Sequence, residues 1–418
     1  MKIETRDHLL STLAEASELE HHLMCLYLYA VSSLKQSTAE GITKAELDAI
    51  TAWRKEIMGV ASQEMTHLAL VTNLTTAIGG SAHLSRPGFP AKAGYFPSGF
   101  VIELAPFSLA TLDHFIFLER PEDQEVKQPP EFHPQHEYTR ATPQGRLMDY
   151  TGDYRTVGQL YHSIEEGIEG LSEIMGEKNL FCGSVSLQIA PPELELEGLI
   201  LIHDTASALA AIKTIVEQGE GARAHANSHF EKFTRIKASV ETLIMINHAF
   251  EPGRPAARNP VMRKPVESEG TMWINDARAA LYLDLGNAIY SLMLRFLLQL
   301  YSMENRTAQA RKVLLEGALS LMHGIGEVAA ILSQLPASLD VTGVNAGMSF
   351  DLHRHFNPIE LSSENQLLTE RLNEMLAALK QLRDDAQYPS HASSLERVNS
   401  TLIQVCDSLK VTDLADGQ

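Results

Sequence analysis

The stretch Trp53–Leu74, WRKEIMGVASQEMTHLALVTNL, sets how the rest of the chain is read. Every third or fourth residue along it is Trp53, Ile57, Val60, Glu64, His67, Val71 and Leu74. All but Glu64 and His67 are apolar, at the spacing of a helix's buried stripe. An ionised carboxylate on a buried helix face costs several kcal/mol unless it is paired or bound to a cation. Residues at i and i+3 project from the same side of a helix, so this Glu-x-x-His pair can hold one metal ion.

The same test applied outward finds further anomalies. Leu9, Leu13, Ala16, Glu20, Leu23, Tyr27 and Ala30 predict a long helix over about 4–37, in which Glu20 again replaces an apolar residue and Tyr27 lies two turns on. Thr43 with Glu46 has the pattern of a capping box opening a second helix over about 43–78, which Gly79-Gly80 ends. A third helix, about 155–178, has Val157, Leu160/Tyr161, Ile164, Ile168 and Leu171 as its stripe and Glu165 at the stripe's edge. A fourth begins near Asp204, with Thr205, Leu209, Ile212, Val216 and Gly219/Glu220 on one face. The segment EQGEGARAHANSHF interrupts it, because closely spaced glycines disfavour a continuous helix, and the helical pattern resumes at Phe230.

The candidate metal ligands over these four segments are Glu20, then Glu64 with His67, then Glu165, then Glu220 or Glu217 with His229, His225 competing as the last imidazole. A carboxylate followed by Glu-x-x-His, twice over, is the donor set of carboxylate-bridged two-metal helical bundles. Oxygen-rich donors with one imidazole per ion suit iron, with manganese as the alternative. Two adjacent cations also let several carboxylates share a buried site. The fourth helix departs from a strict Glu-x-x-His, since Arg223 stands three residues after Glu220, so one ion and two are both compatible with the pattern. Tyr27, close to Glu20, is the candidate catalytic side chain. His21 and His22 flank Glu20 but point off its stripe, and are expected at the surface or behind the ligands.

The chain has 418 residues, 44% of them hydrophobic, enough for a large core and two domains or three. A net charge of −19 argues against nucleic acid and anionic membrane surfaces as partners. The apolar run Leu281–Met303 contains Asp284, Asn287, Arg295 and Gln299 and reads as a buried helix, not a membrane span. MKIETRDHLL carries charges where a secretory signal is apolar, and Cys25, Cys182 and Cys406 form no disulfide framework, so a reducing cytoplasmic setting is expected. Residues 80–153 are dense in Pro, Gly and aromatics, with one short helix over Phe107–Leu118 and a long polar loop after it, and read as an insert able to act as a lid. The Pro-rich residues 251–270 read as a linker or domain boundary. Helical patterns return over about 271–304, 308–334, 362–386 and 392–410, with NAGMSFDLHRHFNP in an ordered loop between the second and third; His353 and His355 in that loop are minor candidates for lining a substrate pocket. The fold class is all-α: a bundle over 1–250 interrupted by the insert 80–153, a linker 251–270 and a C-terminal helical domain 271–410.

ELEHHLMCLYLYA, the Glu64-Met-Thr-His67 helix, TVGQLYHSIEEGI, IVEQGEG and SHFEKF together resemble the ferritin-like domain of the iminophenyl-pyruvate dimer synthase family, the group of the violacein-pathway enzyme, over about residues 4–250. LGNAIYSLMLRFLLQLY and NAGMSFDL extend the likeness more loosely. The resemblance implies a ferritin-like four-helix bundle with a helical second domain, and oxidative chemistry on an amino-acid-derived imine. The expected function is therefore a metal-dependent oxidoreductase taking a small-molecule substrate with O2 or peroxide, with no nucleic-acid or membrane partner and with a homo-oligomer compatible. The alternatives are a non-enzymatic iron-binding protein and a helical interaction protein whose metal site has degenerated.

Overall fold

The computed structural model describes residues 2–92, 94–97, 100–133, 154–219, 227–268, 270–304, 306–352, 354, 356–384 and 389–416. The chain forms two compact units. One comprises Met1–Glu103 and Phe107–Gly253; the other comprises Leu104–Pro106 and Arg254–Gln418. His353 and His355 lie outside the described residues.

In the first unit the helices are α1 (Arg6–Ser33), α2 (Lys44–Ala77), α3 (Leu109–Leu118), α4 (Val157–Met175), the single turn α5 (Glu177–Leu180), α6 (Thr205–Gly219) and α7 (His229–Ile246). Local chemistry sets their starts. Thr5 accepts from the His8 N–H at the head of α1, and Thr43 and Glu46 close a full capping box at the head of α2. Ser108, Thr156 and Ser228 cap α3, α4 and α7 in the same way. The apolar stripes then decide the packing. α1 lies along α2 and α4, α4 lies along α6, α2 also touches α6 and α7, and α3 lies on α7. The bundle's fourth position is thus shared by α6 and α7. Trp53 of α2 stacks on Phe107 and donates its indole N–H to Ser239 of α7 at 3.1 Å, tying the far end of the stripe to that helix.

The second unit holds α8 (Ala277–Ser302), α9 (Ala308–Leu332), α10 (Leu361–Asp384) and α11 (Pro389–Asp416), with α8 on α9, α9 on α11, and α10 on both α8 and α11. Helices α8 and α9 are long and apolar enough to cross a membrane by length and composition, but 61% and 56% of their apolar windows are buried inside the protein, as in core helices. The segment 251–270, expected as a linker or domain boundary, contains the division between the two units. From Arg254 onward it belongs to the second unit, and Pro260–Val261 pairs in parallel with Met272–Trp273, the only two strands among the described residues. Asn259 holds this segment: its side-chain oxygen accepts from the Leu104 N–H at 2.8 Å, and it is fully buried.

The C-terminal end of α2 is closed by the chain at Gly183, whose N–H donates to the Ala77 carbonyl at 2.9 Å. A Cβ there would stand 1.7 Å from the Thr76 carbonyl oxygen, so only glycine lets the backbones approach. Gly59, on the exposed face of α2, has nothing within 4 Å of its would-be Cβ. Gly183→Ala is expected to destabilise the protein by about 1–3 kcal/mol through overpacking. Gly59→Ala should stabilise it by about 0.5–1 kcal/mol through helix propensity. Chemical denaturation of the two variants beside the parent checks both signs.

Candidate metal centre

Five buried side chains from four helical segments meet inside the first unit. Glu20 comes from α1, Glu64 and His67 from α2, Glu119 from the residue that ends α3, and His229 from the first residue of α7. None is more than 2% exposed. Their donor atoms form two overlapping groups, Glu20–Glu64–His67 and Glu64–Glu119–His229, within each of which the atoms lie no more than 4.8 Å apart. Glu64 is common to both. Its Oε2 stands 3.2 Å from His67 Nδ1 and its Oε1 stands 3.0 Å from His229 Nδ1. Glu20 Oε2 lies 3.3 Å from His67 Nδ1, and Glu119 Oε1 lies 3.5 Å from His229 Nδ1. The two imidazoles face each other with centroids 5.5 Å apart.

This donor set fits a pair of metal ions, and one atom shows it most directly. His229 Nδ1 is fully buried and 3.0 Å from a carboxylate oxygen, yet has no hydrogen-bond partner. A buried ring nitrogen without a hydrogen bond demands an explanation, and a cation held between nitrogen and oxygens supplies one. Both imidazoles turn Nδ1 inward and Nε2 outward to a glutamine: His67 Nε2 lies 3.0 Å from Gln218 Oε1 and His229 Nε2 lies 3.3 Å from Gln63 Oε1. Two tyrosines brace the outer carboxylates. Tyr161 donates its O–H to Glu20 at 2.5 Å, and Tyr27 donates to Glu119. Burial first, and the neighbouring carboxylates second, push both phenols well above their ordinary range, so each stays a donor.

The candidates read from the chain separate here. Glu20, Glu64, His67 and His229 are brought together. Glu165 is not: it turns off the buried face of α4, half-exposed, into a 3.4 Å ion pair with His162, and Tyr161 one turn earlier takes the inward position. Glu217 is likewise outside the cluster, 3.8 Å from Lys213 on the outer side of α6. Glu220 and His225 lie outside the described residues. Tyr27 approaches Glu119, not Glu20. His21 and His22 are buried, not at the surface, because the chain after α2 folds over them: His21 Nδ1 contacts the Leu84 carbonyl at 3.1 Å and His22 sits edge-on to Phe89 and Phe96. Burial, then Arg86, keeps both imidazoles neutral. Glu119 was not anticipated. It continues the apolar spacing Leu112, Phe115 of α3, so the test that singles out Glu20 and Glu64 would have found it inside the insert.

Without metal, protons do the work of the cations. Burial opposes charge on His67, but Glu64 and Glu20 outweigh it and push it up to about 10. His229 is raised against its burial by Glu119 and Glu64. Burial and the charge of Glu64 lift Glu20 to about 8, whereas Glu64, although burial opposes its charge, is held well below the carboxylate range by His229 and His67. A cavity of about 10 Å³ adjoins the cluster, lined by Leu23, Val157, Gly158, Ile215 and Gly219 among others. That is the space of roughly one water.

The Ferritin-like family model matches residues 13–238, which contain all five ligand candidates. The chain is similar to the 2-imino-3-(indol-3-yl)propanoate dimerase of Chromobacterium violaceum, 28% identical over 83% of this chain and 34% of that protein. It is similar to the dichlorochromopyrrolate synthase of Lentzea aerocolonigenes, 25% identical over 84% of this chain and 36% of that protein. The chain thus spans about a third of the length of these curated relatives. In fold it matches the crystal structure of a ferritin-like protein from Caulobacter vibrioides, with a TM-score of 0.53 at 20% identity, covering 84% of this chain and all of that one.

The raised groups set a pH dependence. His67 moves from 6.5 to about 10 and Glu20 from 4.5 to about 8, so both contribute stability that is present at low pH and lost as pH rises through those values. Metal-stripped protein is therefore expected to melt at lower temperature at pH 9.5 than at pH 6.5. Metal-loaded protein should reverse that trend, because ions must displace these protons and bind more tightly as pH rises. Melting curves at the two pH values, with and without chelator, check it.

Proposed function

We propose, from the premise that the chain belongs to the ferritin-like family, that it is a two-metal oxidoreductase acting on a small organic substrate with O2 or peroxide as electron acceptor. The observation that carries this reading is Glu64, whose two oxygens face two different histidines inside a ring of carboxylates. Iron suits that donor set, with manganese as the alternative, and would supply the one-electron redox steps by which O2 or peroxide is reduced while the substrate loses two electrons. Glu20, Glu64 and His67 would hold one ion, and Glu64, Glu119 and His229 the other. Tyr161 and Tyr27 fix the carboxylates of Glu20 and Glu119 by donating hydrogen bonds to them. Tyr27 is the catalytic candidate: a buried phenol hydrogen-bonded to a ligand carboxylate can pass on its proton and an electron together.

The substrate class follows from the relatives. A protein similar over 83% of this chain is named for dimerising an imino acid, which supports an amino-acid-derived imine as the substrate proposed here. The cavity at the cluster, as the described residues line it, has the space of roughly one water. That observation favours one second reading, iron binding with O2 or peroxide as the sole reactant and no organic substrate.

Protein purified without chelator is expected to contain iron or manganese, lost in the Glu64→Ala, His67→Ala double variant. Supplied with a 2-imino acid generated in place from the amino acid, the metal-loaded protein should consume O2 or peroxide faster than without the imine. Equal consumption with and without imine would favour the second reading, and full activity in metal-stripped protein would sink both. Tyr161→Phe and Tyr27→Phe should each weaken metal retention, by up to about tenfold for a lost outer hydrogen bond to a ligand, measured by competition with a chelator.

A further inference from the structure

One interaction outside the ligand set distinguishes the two halves of the centre. Lys232, one turn into α7 from His229, donates its ammonium to Gln63 Oε1 at 2.5 Å. His229 Nε2 faces that same oxygen at 3.3 Å. An ammonium has donors only, so the Gln63 group turned toward it is the carbonyl oxygen, not the NH2. His229 Nε2 must then carry a hydrogen, so the neutral, ligating form of His229 presents its Nδ1 lone pair on the side of Glu64 Oε1 and Glu119 Oε1, 3.0 and 3.5 Å away. The unpaired state of that buried Nδ1 agrees. His67 has the corresponding partner in Gln218 at 3.0 Å, on α6 and with no lysine among the contacts found for it.

We propose that Lys232 and Gln63 are positioning residues that select Nδ1 of His229 as its ligand atom and make the two metal positions unequal, the His67 position being the tighter. The inference rests on the two-metal reading of the cluster. Its physical basis is a shared acceptor. Gln63 Oε1 divides its lone pairs between a cation at 2.5 Å and an imidazole at 3.3 Å, so it draws less electron density toward His229 than Gln218 gives His67. The ammonium adds its own repulsion toward a cation behind His229. Burial, and then Arg235, opposes the charge on Lys232 and lowers its pKa from the ordinary lysine value, while Glu56, Glu119 and Glu197 favour the charge. Loss of the lysine costs no orientation once an ion is bound: an imidazole committed through Nδ1 keeps its Nε2–H toward the amide oxygen.

The test is a titration of the metal-stripped 418-residue chain with Co2+ alone, followed by the visible absorption of the bound ion and by calorimetry. The parent should bind two ions in a tight step and a weaker step. Lys232→Met should tighten the weaker step by about tenfold and leave the tight one unchanged, the scale on which outer partners move metal affinity. Lys232→Arg should restore the parental pattern. Gln63→Leu should weaken only the second step, and Gln218→Leu the first. If Lys232→Met leaves both steps as in the parent, or Gln63→Leu moves both steps alike, the proposal is overturned; so is it if the parent binds two ions with equal affinity. A parent of full helical content that binds no Co2+ overturns the metal reading itself, which separates that failure from failure of the inequality between the two positions.

Discussion

The carboxylate of Glu64 is the constraint on which the first unit depends. It is buried to 1% exposure, and each of its oxygens is within 3.2 Å of a different imidazole. A charge so placed is tolerated only if positive charge stands on both sides of it, whether as protons on His67 and His229 or as metal ions. That requirement fixes three helical segments relative to α2, because α1 must deliver Glu20, α3 must end at Glu119 and α7 must begin at His229. The tyrosines and glutamines behind these residues follow from the same demand. Each satisfies an oxygen or a ring nitrogen that burial would otherwise leave unpaired.

That α6 and α7 are two helices and not one has a positive role in this arrangement. A continuous fourth helix would carry its ligands at one fixed spacing. Instead α6 ends with Gln218 on His67, and α7 starts afresh with Ser228 as its cap and His229 as its first residue. α3, from within the insert, lies on α7 and brings Glu119 to the cluster. The insert is thereby part of the centre's inner wall, not only a cover for it, and Phe115 of α3 packs on both Tyr27 and Phe233 to hold it there.

Much of the fold was legible because its signals are local. Apolar residues at 3–4 spacing, the Thr43–Glu46 capping box and the Gly79-Gly80 stop lie within a few residues of what they specify, and the helices over 6–33, 44–77 and 157–175 stand within a few residues of where the spacing puts them. Glu20, Glu64 and His67 were legible for the same reason: each interrupts a stripe that burial would otherwise keep apolar. Glu165 misled because a stripe's edge is ambiguous by one residue, and in α4 that difference turns Tyr161 inward and Glu165 outward. Glu119 is less legible because it lies in a Pro- and aromatic-rich insert whose composition signals a lid, although its short helix obeys the same spacing rule.

The sequence by itself determined that this is a helical protein with carboxylates and a histidine inside buried stripes, since helix periodicity and the cost of burying charge act along the chain. Which carboxylate meets His229, which tyrosine braces Glu20, and which ring nitrogen of each histidine faces the centre were decided only by the tertiary structure. Those pairings join residues between 47 and 166 positions apart, such as Glu20 with His67 and Gln63 with His229. The rotation of one helix against another that brings them within hydrogen-bonding distance is set by the packing of whole faces, which no local spacing encodes.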